Sequence, residues 1–169
     1  MDITHKIPQE YYDNFLRIEA EVLQNEMQTW KSGGKTLELK PDFIEPYFEE
    51  LMTSVRIDYI DWPNGVEEYL KNSPEHSRGH ALFNKQTKVN LLRMAYFFGE
   101  CLRFESKTLN WQLGKSGFAF ESMPVIGGFS DNTECPPIAI CETIIRKICR
   151  GTHDVSQFTK IYNIWKEKL

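Results

Sequence analysis

The chain has no CxxC pair, no apolar run long enough to span a bilayer and no excess of basic residues. Each absence removes a class of function. Without paired cysteine motifs there is no ribbon or finger-type zinc site and no thioredoxin-like redox motif. Cys101, Cys135, Cys141 and Cys149 read instead as reduced, partly buried small residues of a cytosolic protein, with a Cys135–Cys141 bridge as the lesser alternative. The apolar stretches are broken by charges or glycines well short of a membrane span. Met1-Asp2-Ile3-Thr4-His5-Lys6 lacks the basic start and apolar core of a signal peptide, so a cytoplasmic location is expected. A net charge of −4 argues against general nucleic-acid binding, which needs a basic face to neutralise phosphates. Gly33-Gly34 and Gly127-Gly128 carry neither the P-loop nor the dinucleotide fingerprint and read as turn glycines. No linker, repeat or low-complexity tract divides the chain.

What is present suffices for one domain over residues 1–169. Apolar residues at 41% and aromatics at 13% exceed what a disordered chain carries. At this length roughly two-thirds of the unfolded chain's surface can be buried. Phe15, Ile18, Val22 and Leu23 recur at helical spacing and predict a first helix over 8–30, stopped by Ser32-Gly33-Gly34. The alternating residues 36–40 read as extended. Ile44, Tyr47, Phe48, Leu51, Met52 and Val55 form an amphipathic pattern from about Pro41 to the Trp62-Pro63-Asn64-Gly65 turn. A short helix is expected over 66–71. From Ser73-Pro74 to about Phe104 the chain reads as helix, with Gly79 and Asn84 as points of interruption.

The period then changes. Leu109 to Leu113 alternates, residues 114–117 form a turn and Phe118 to Glu121 is aromatic-rich, which predicts a β-hairpin. Met123-Pro124-Val125-Ile126 reads as a third short strand. Two helices close the chain, over 137–150 and from Asp154, whose spacing to Gln157 matches a capping box. The expected class is α+β, mostly helical, with five to six helices and a small two- to three-stranded antiparallel β-element in the C-terminal half.

Candidate chemistry is sparse. His76 and His80 share the i, i+4 spacing of a metal pair, but Ser77, Arg78 and Gly79 lie between them and a cation there disfavours a metal, so no metal site is assigned. Cys149, flanked by basic residues and followed by His153, could form a nucleophile pair. Its setting between isoleucines reads as core. Glu100, on the most apolar helix, either lies on a polar edge or is buried and paired, and the structural role is favoured over that of an acid or base. Trp62, on its turn, is either a lid over the core or an exposed anchor. No catalytic residue and no cofactor is assigned.

Charge is segregated. From Asp42 to Glu68 eight acids face Arg56 alone, whereas residues 142–169 hold six basic residues against three acids. The two regions could face each other. If exposed, the acidic one would steer a basic partner.

The run Met94-Ala95-Tyr96-Phe97-Phe98-Gly99-Glu100, then Trp111, Pro124-Val125-Ile126 and the helix after Pro137 resembles small bacterial proteins of the toxin-immunity type. These have a Gly-Glu helix and a Trp-bearing strand. The likeness covers roughly the C-terminal half, and the two N-terminal helices have no counterpart. It implies that Gly99, Glu100 and Trp111 are framework residues docking helix to hairpin. With the acidic segment, it implies a non-catalytic cytoplasmic protein that binds a basic toxin domain and occludes its active site. The expected contact surface is Glu45, Glu49, Asp58, Tyr59, Asp61, Trp62, Glu67 and Glu68. No nucleic acid or membrane is expected as partner, and the protein is expected as monomer or homodimer. The alternatives are a small enzyme or ligand-binding protein with a pocket at the helix–hairpin junction, using Glu100 or a His–Cys pair, and a homo-oligomeric regulatory subunit.

Overall fold

The structure, a computed structural model, describes residues 9–60, 80–117 and 119–169. In chain order the elements are α1 (Gln9–Ser32), a 3-10 turn (Pro41–Phe43), α2 (Ile44–Met52), β1 (Ile57–Ile60), β2 (His80–Phe83), α3 (Lys85–Glu105), β3 (Asn110–Leu113), β4 (Pro124–Gly127), α4 (Pro137–Cys149) and α5 (Ser156–Lys166). The class is α+β and mostly helical. The expected helix over 66–71, the Trp62-Pro63-Asn64-Gly65 turn, the Ser73-Pro74 start and the His76–His80 pairing lie outside the described residues.

α3 is the hub, packing against α1, α2, α4 and α5. Its face from Met94 to Leu102 explains this position: Met94, Ala95, Phe97, Phe98, Cys101 and Leu102 have no exposed surface. A helix apolar on so wide an arc has to be covered on several sides. Aromatic rings join the layers. Phe48 of α2 stands edge-on to Phe158 of α5 at 4.6 Å, Tyr47 meets Phe97 at 4.8 Å and Phe98 meets Tyr162 at 5.9 Å. The Tyr162 hydroxyl donates to Glu105 Oε1 at 2.6 Å, and Lys166 Nζ reaches the same oxygen at 2.9 Å, which ties α5 to the end of α3.

Residues 36–40, read as extended, join no strand, and Lys40 has extended backbone angles. Three other expectations are corrected. α3 begins at Lys85, because Asn84 caps it by accepting from Thr87 N at 2.8 Å and residues 80–83 are drawn into a ladder with β1. The partner of β3 is β4, with Trp111 opposite Ile126, whereas Ala119 and Phe120 stay in a turn and Glu121 makes only an isolated bridge to Gly114. Ile126 also exchanges both backbone hydrogen bonds with Cys135, at 2.8 and 2.9 Å, so β4 is satisfied on both edges there. Near the C-terminus Asp154 makes no capping box. Its Oδ1 accepts from Ser156 N at 2.9 Å, an Asx turn leading into α5. α4 ends as expected, with Gly151 at φ +74°, where a Cβ would be strained.

Candidate functional site

Two groups of carboxylates stand out, one sealed and one open. The sealed group forms where α1, α3 and β3 meet. A Cβ at position 99 would lie 2.3 Å from Trp111 Cζ2, so only glycine lets the indole rest on the α3 backbone. Held there, Trp111 Nε1 donates to Glu100 Oε1 at 3.0 Å, and Arg103 donates to the same oxygen at 2.6 Å. Phe15 of α1 closes over the indole, edge-on at 5.1 Å. Gly99, Glu100 and Trp111 are thus brought together.

The fourth member was not nominated from the sequence. Glu19 of α1 is 6% exposed, and its Oε1 has no hydrogen-bond partner. Burial, then the charge of Glu100 and a hydrogen bond with it, push its pKa up to about 8 against the opposing pull of Trp111 and Arg103. Glu19 is therefore largely a neutral acid at pH 7. Burial and Glu19 raise the nearby Tyr12 hydroxyl as well. The signal was in the sequence: Tyr12, Phe15, Glu19, Leu23, Glu26 and Trp30 recur at three- and four-residue steps, all 8% exposed or less. Two acids occupy stripe positions. Glu26, the second, pairs with Arg93 of α3 beside the Tyr47 hydroxyl, whose pKa rises chiefly through burial.

Chemically, a carboxyl pair sharing a proton could transfer one. Here Glu100 is committed to Trp111 and Arg103, and Gly99, Trp111 and Phe15 fill the space at the helix–hairpin junction.

The open group lies along α2 and the 3-10 turn before it. Asp42, Glu45 and Glu49, at three- and four-residue steps, line a groove of about 560 Å³ facing Thr159 and Asn163 of α5. The acidic segment does pack against the basic C-terminal region, through Phe48 and Phe158. Yet among the described residues Glu45 and Glu49 have no ion pair. Lys166 and Lys168 are turned to Glu105 and Asp131, and Lys35 takes Glu50 at 2.8 Å.

The mount of α2 is firm. Asn90, fully buried on α3, donates to Leu51 O at 2.9 Å and to Ser54 Oγ at 2.8 Å. Thr87, also fully buried, exchanges hydrogen bonds with the Arg56 backbone at 2.7 and 2.8 Å. Asp58 and Tyr59 are exposed on β1 and do not line the groove. Asp61, Trp62, Glu67 and Glu68 lie outside the described residues. Asp42 joins the group although the sequence counted it only as part of the acidic run.

All four cysteines are free thiols. Burial raises the pKa of Cys101, Cys135 and Cys141, and of Cys149 too, where it outweighs Arg146 and Arg56. The activated-nucleophile reading of Cys149, set aside above in favour of core, gains no support. Among the described residues no three His, Cys, Asp or Glu side chains are grouped to hold a metal, and no helix is long and apolar enough to cross a membrane. No protein-family model, curated protein or solved structure matches the chain.

Proposed function

We propose that this chain is a non-catalytic binding protein of the immunity type, acting in the cytoplasm, which meets the basic surface of a cognate antibacterial toxin with its acidic α2 edge and occludes the toxin's active site. The observation that carries the reading is the set Asp42, Glu45 and Glu49. Three carboxylates share one groove, with no cation lining it among the described residues, on α2 and the turn before it; Asn90 pins α2 to the core and Thr87 holds the chain just after it. Like charges so arranged cost a folded chain some self-repulsion, which a basic partner relieves. They speed association more than they tighten it, and the effect weakens with salt.

The commitments of Glu100 to Arg103 and Trp111 favour a framework role for it over acid–base chemistry. Affinity capture of the tagged chain from its host, followed by co-expression of the captured protein, tests the reading. A stoichiometric partner whose toxicity the chain suppresses supports it. A bait that emerges alone while a toxin is expressed overturns it.

A further inference from the structure

Away from both carboxylate groups, α4 and α5 pack together and are joined by a tight connection. In it Thr152 donates to Lys147 O from both N and Oγ1, at 3.1 and 3.0 Å. Between the helices runs a groove of about 240 Å³. Its lining is sorted along its length. Pro136, Ala139 and Ile140 at the start of α4, with Ile161 and Phe120 beside them, make one end apolar. Lys147 is about 10 Å along the helix from Ile140. His153 joins Lys147 there through the same connection, its Nδ1 3.1 Å from Thr152 Oγ1. Thr143 and Gln157 supply uncharged polar groups to the lining.

No acid among the described residues lines this groove. Among the described residues Lys147 has no carboxylate partner, since Glu142 is held by Arg146 at 2.9 Å. Asp154, next to His153 in the chain, is bonded to Ser156 N. Past Phe120, Pro136 and Ile140 the groove continues into a second, mainly apolar trough reaching Trp165.

We propose that this groove binds a small aliphatic monocarboxylate, its tail against Ile140, Ile161 and Phe120 and its carboxylate at Lys147, with His153 as a second polar contact. The volume falls below the ~300–1,000 Å³ of drug-sized sites, which limits the occupant to a small molecule. A single cation at one end of an apolar trough selects a molecule charged at one end only. The site does not depend on the acidic edge of α2 and is separable from the toxin-binding reading.

NMR titration of the isotope-labelled full chain with sodium octanoate, 1-octanol and octylammonium chloride tests the proposal. Octanoate is expected to shift α4 and α5 amides saturably and to bind about tenfold or more tighter than octylammonium. Lys147→Glu, at an exposed position, should weaken octanoate by about tenfold or more while leaving 1-octanol nearly unchanged. Ala139→Trp, which fills the apolar end, should abolish both. Absence of saturable octanoate shifts, equal binding of octylammonium, or an unaffected Lys147→Glu variant would each overturn the assignment.

Discussion

The sealed junction of α1, α3 and β3 and the open edge of α2 use the same residue, glutamate, to opposite ends. In the junction Glu19 is buried beside Glu100 and Trp111, and retains a proton because burial and the Glu100 charge penalise ionisation. On the α2 edge Glu45 and Glu49 face water across an open groove, where charge costs little. The first setting turns a carboxyl into a hydrogen-bonding strut between helices. The second leaves charge available to something outside the molecule. Acid content along a chain therefore carries no functional meaning until burial is known.

The comparison can be broken most severely at the indole. Trp111→Ala removes the ring that seals the junction and one of the donors to Glu100, and should cost about 3–5 kcal/mol in urea or thermal unfolding. Gly99→Ala forces a methyl into the same ring and should cost about 1–3 kcal/mol. The double variant should lose much less than the sum, because both remove one contact. Strict additivity would mean that Gly99 serves something other than the indole.

A pH series sharpens the contrast. Between the ordinary glutamate range, near 4.5, and about 8, folded Glu19 keeps a proton that the unfolded chain has released. Its contribution therefore makes stability fall as pH rises through that window and level off above it, by at most a few kcal/mol. Glu19→Gln should flatten this component and stabilise the protein at pH 8.5. Unfolding midpoints at pH 5 and 8.5 check this, and an unchanged pH slope in the variant would place the shared proton elsewhere.

The smallest effect on folding is expected at the open edge. Glu45→Lys with Glu49→Lys should change stability by only about 0.5 kcal/mol per site. Association with a captured basic partner should slow by about tenfold or more at low salt, with little change in dissociation. A large loss of stability would instead make these acids part of the fold.

Legibility in the sequence followed the range of the interactions. α4 and α5 were readable because their isoleucines and aromatics repeat within one or two turns, and Gly151 stops α4 locally. The Gly99, Glu100 and Trp111 framework was expected, and the structure gives it a geometry in which the side chains fit only with hydrogen at position 99. The β1–β2 ladder was missed. Residues 57–60 extend an apolar helical pattern, and only pairing with residues 80–83 makes them a strand. β3 was found, but its partner was misassigned to the aromatic residues around 120. The alternation there is local, whereas the β3–β4 register also depends on Cys135 bonding to Ile126.

By itself the sequence determined the class and the segregation of charge, both of which follow from residue type and short-range period. Only the tertiary structure decided which carboxylates are buried and which face the surface. It also decided that Asp42 joins Glu45 and Glu49, and that α4 and α5 enclose a groove with one charged end. Those outcomes depend on desolvation and on approaches between residues far apart in the chain, and neither is encoded in any local pattern.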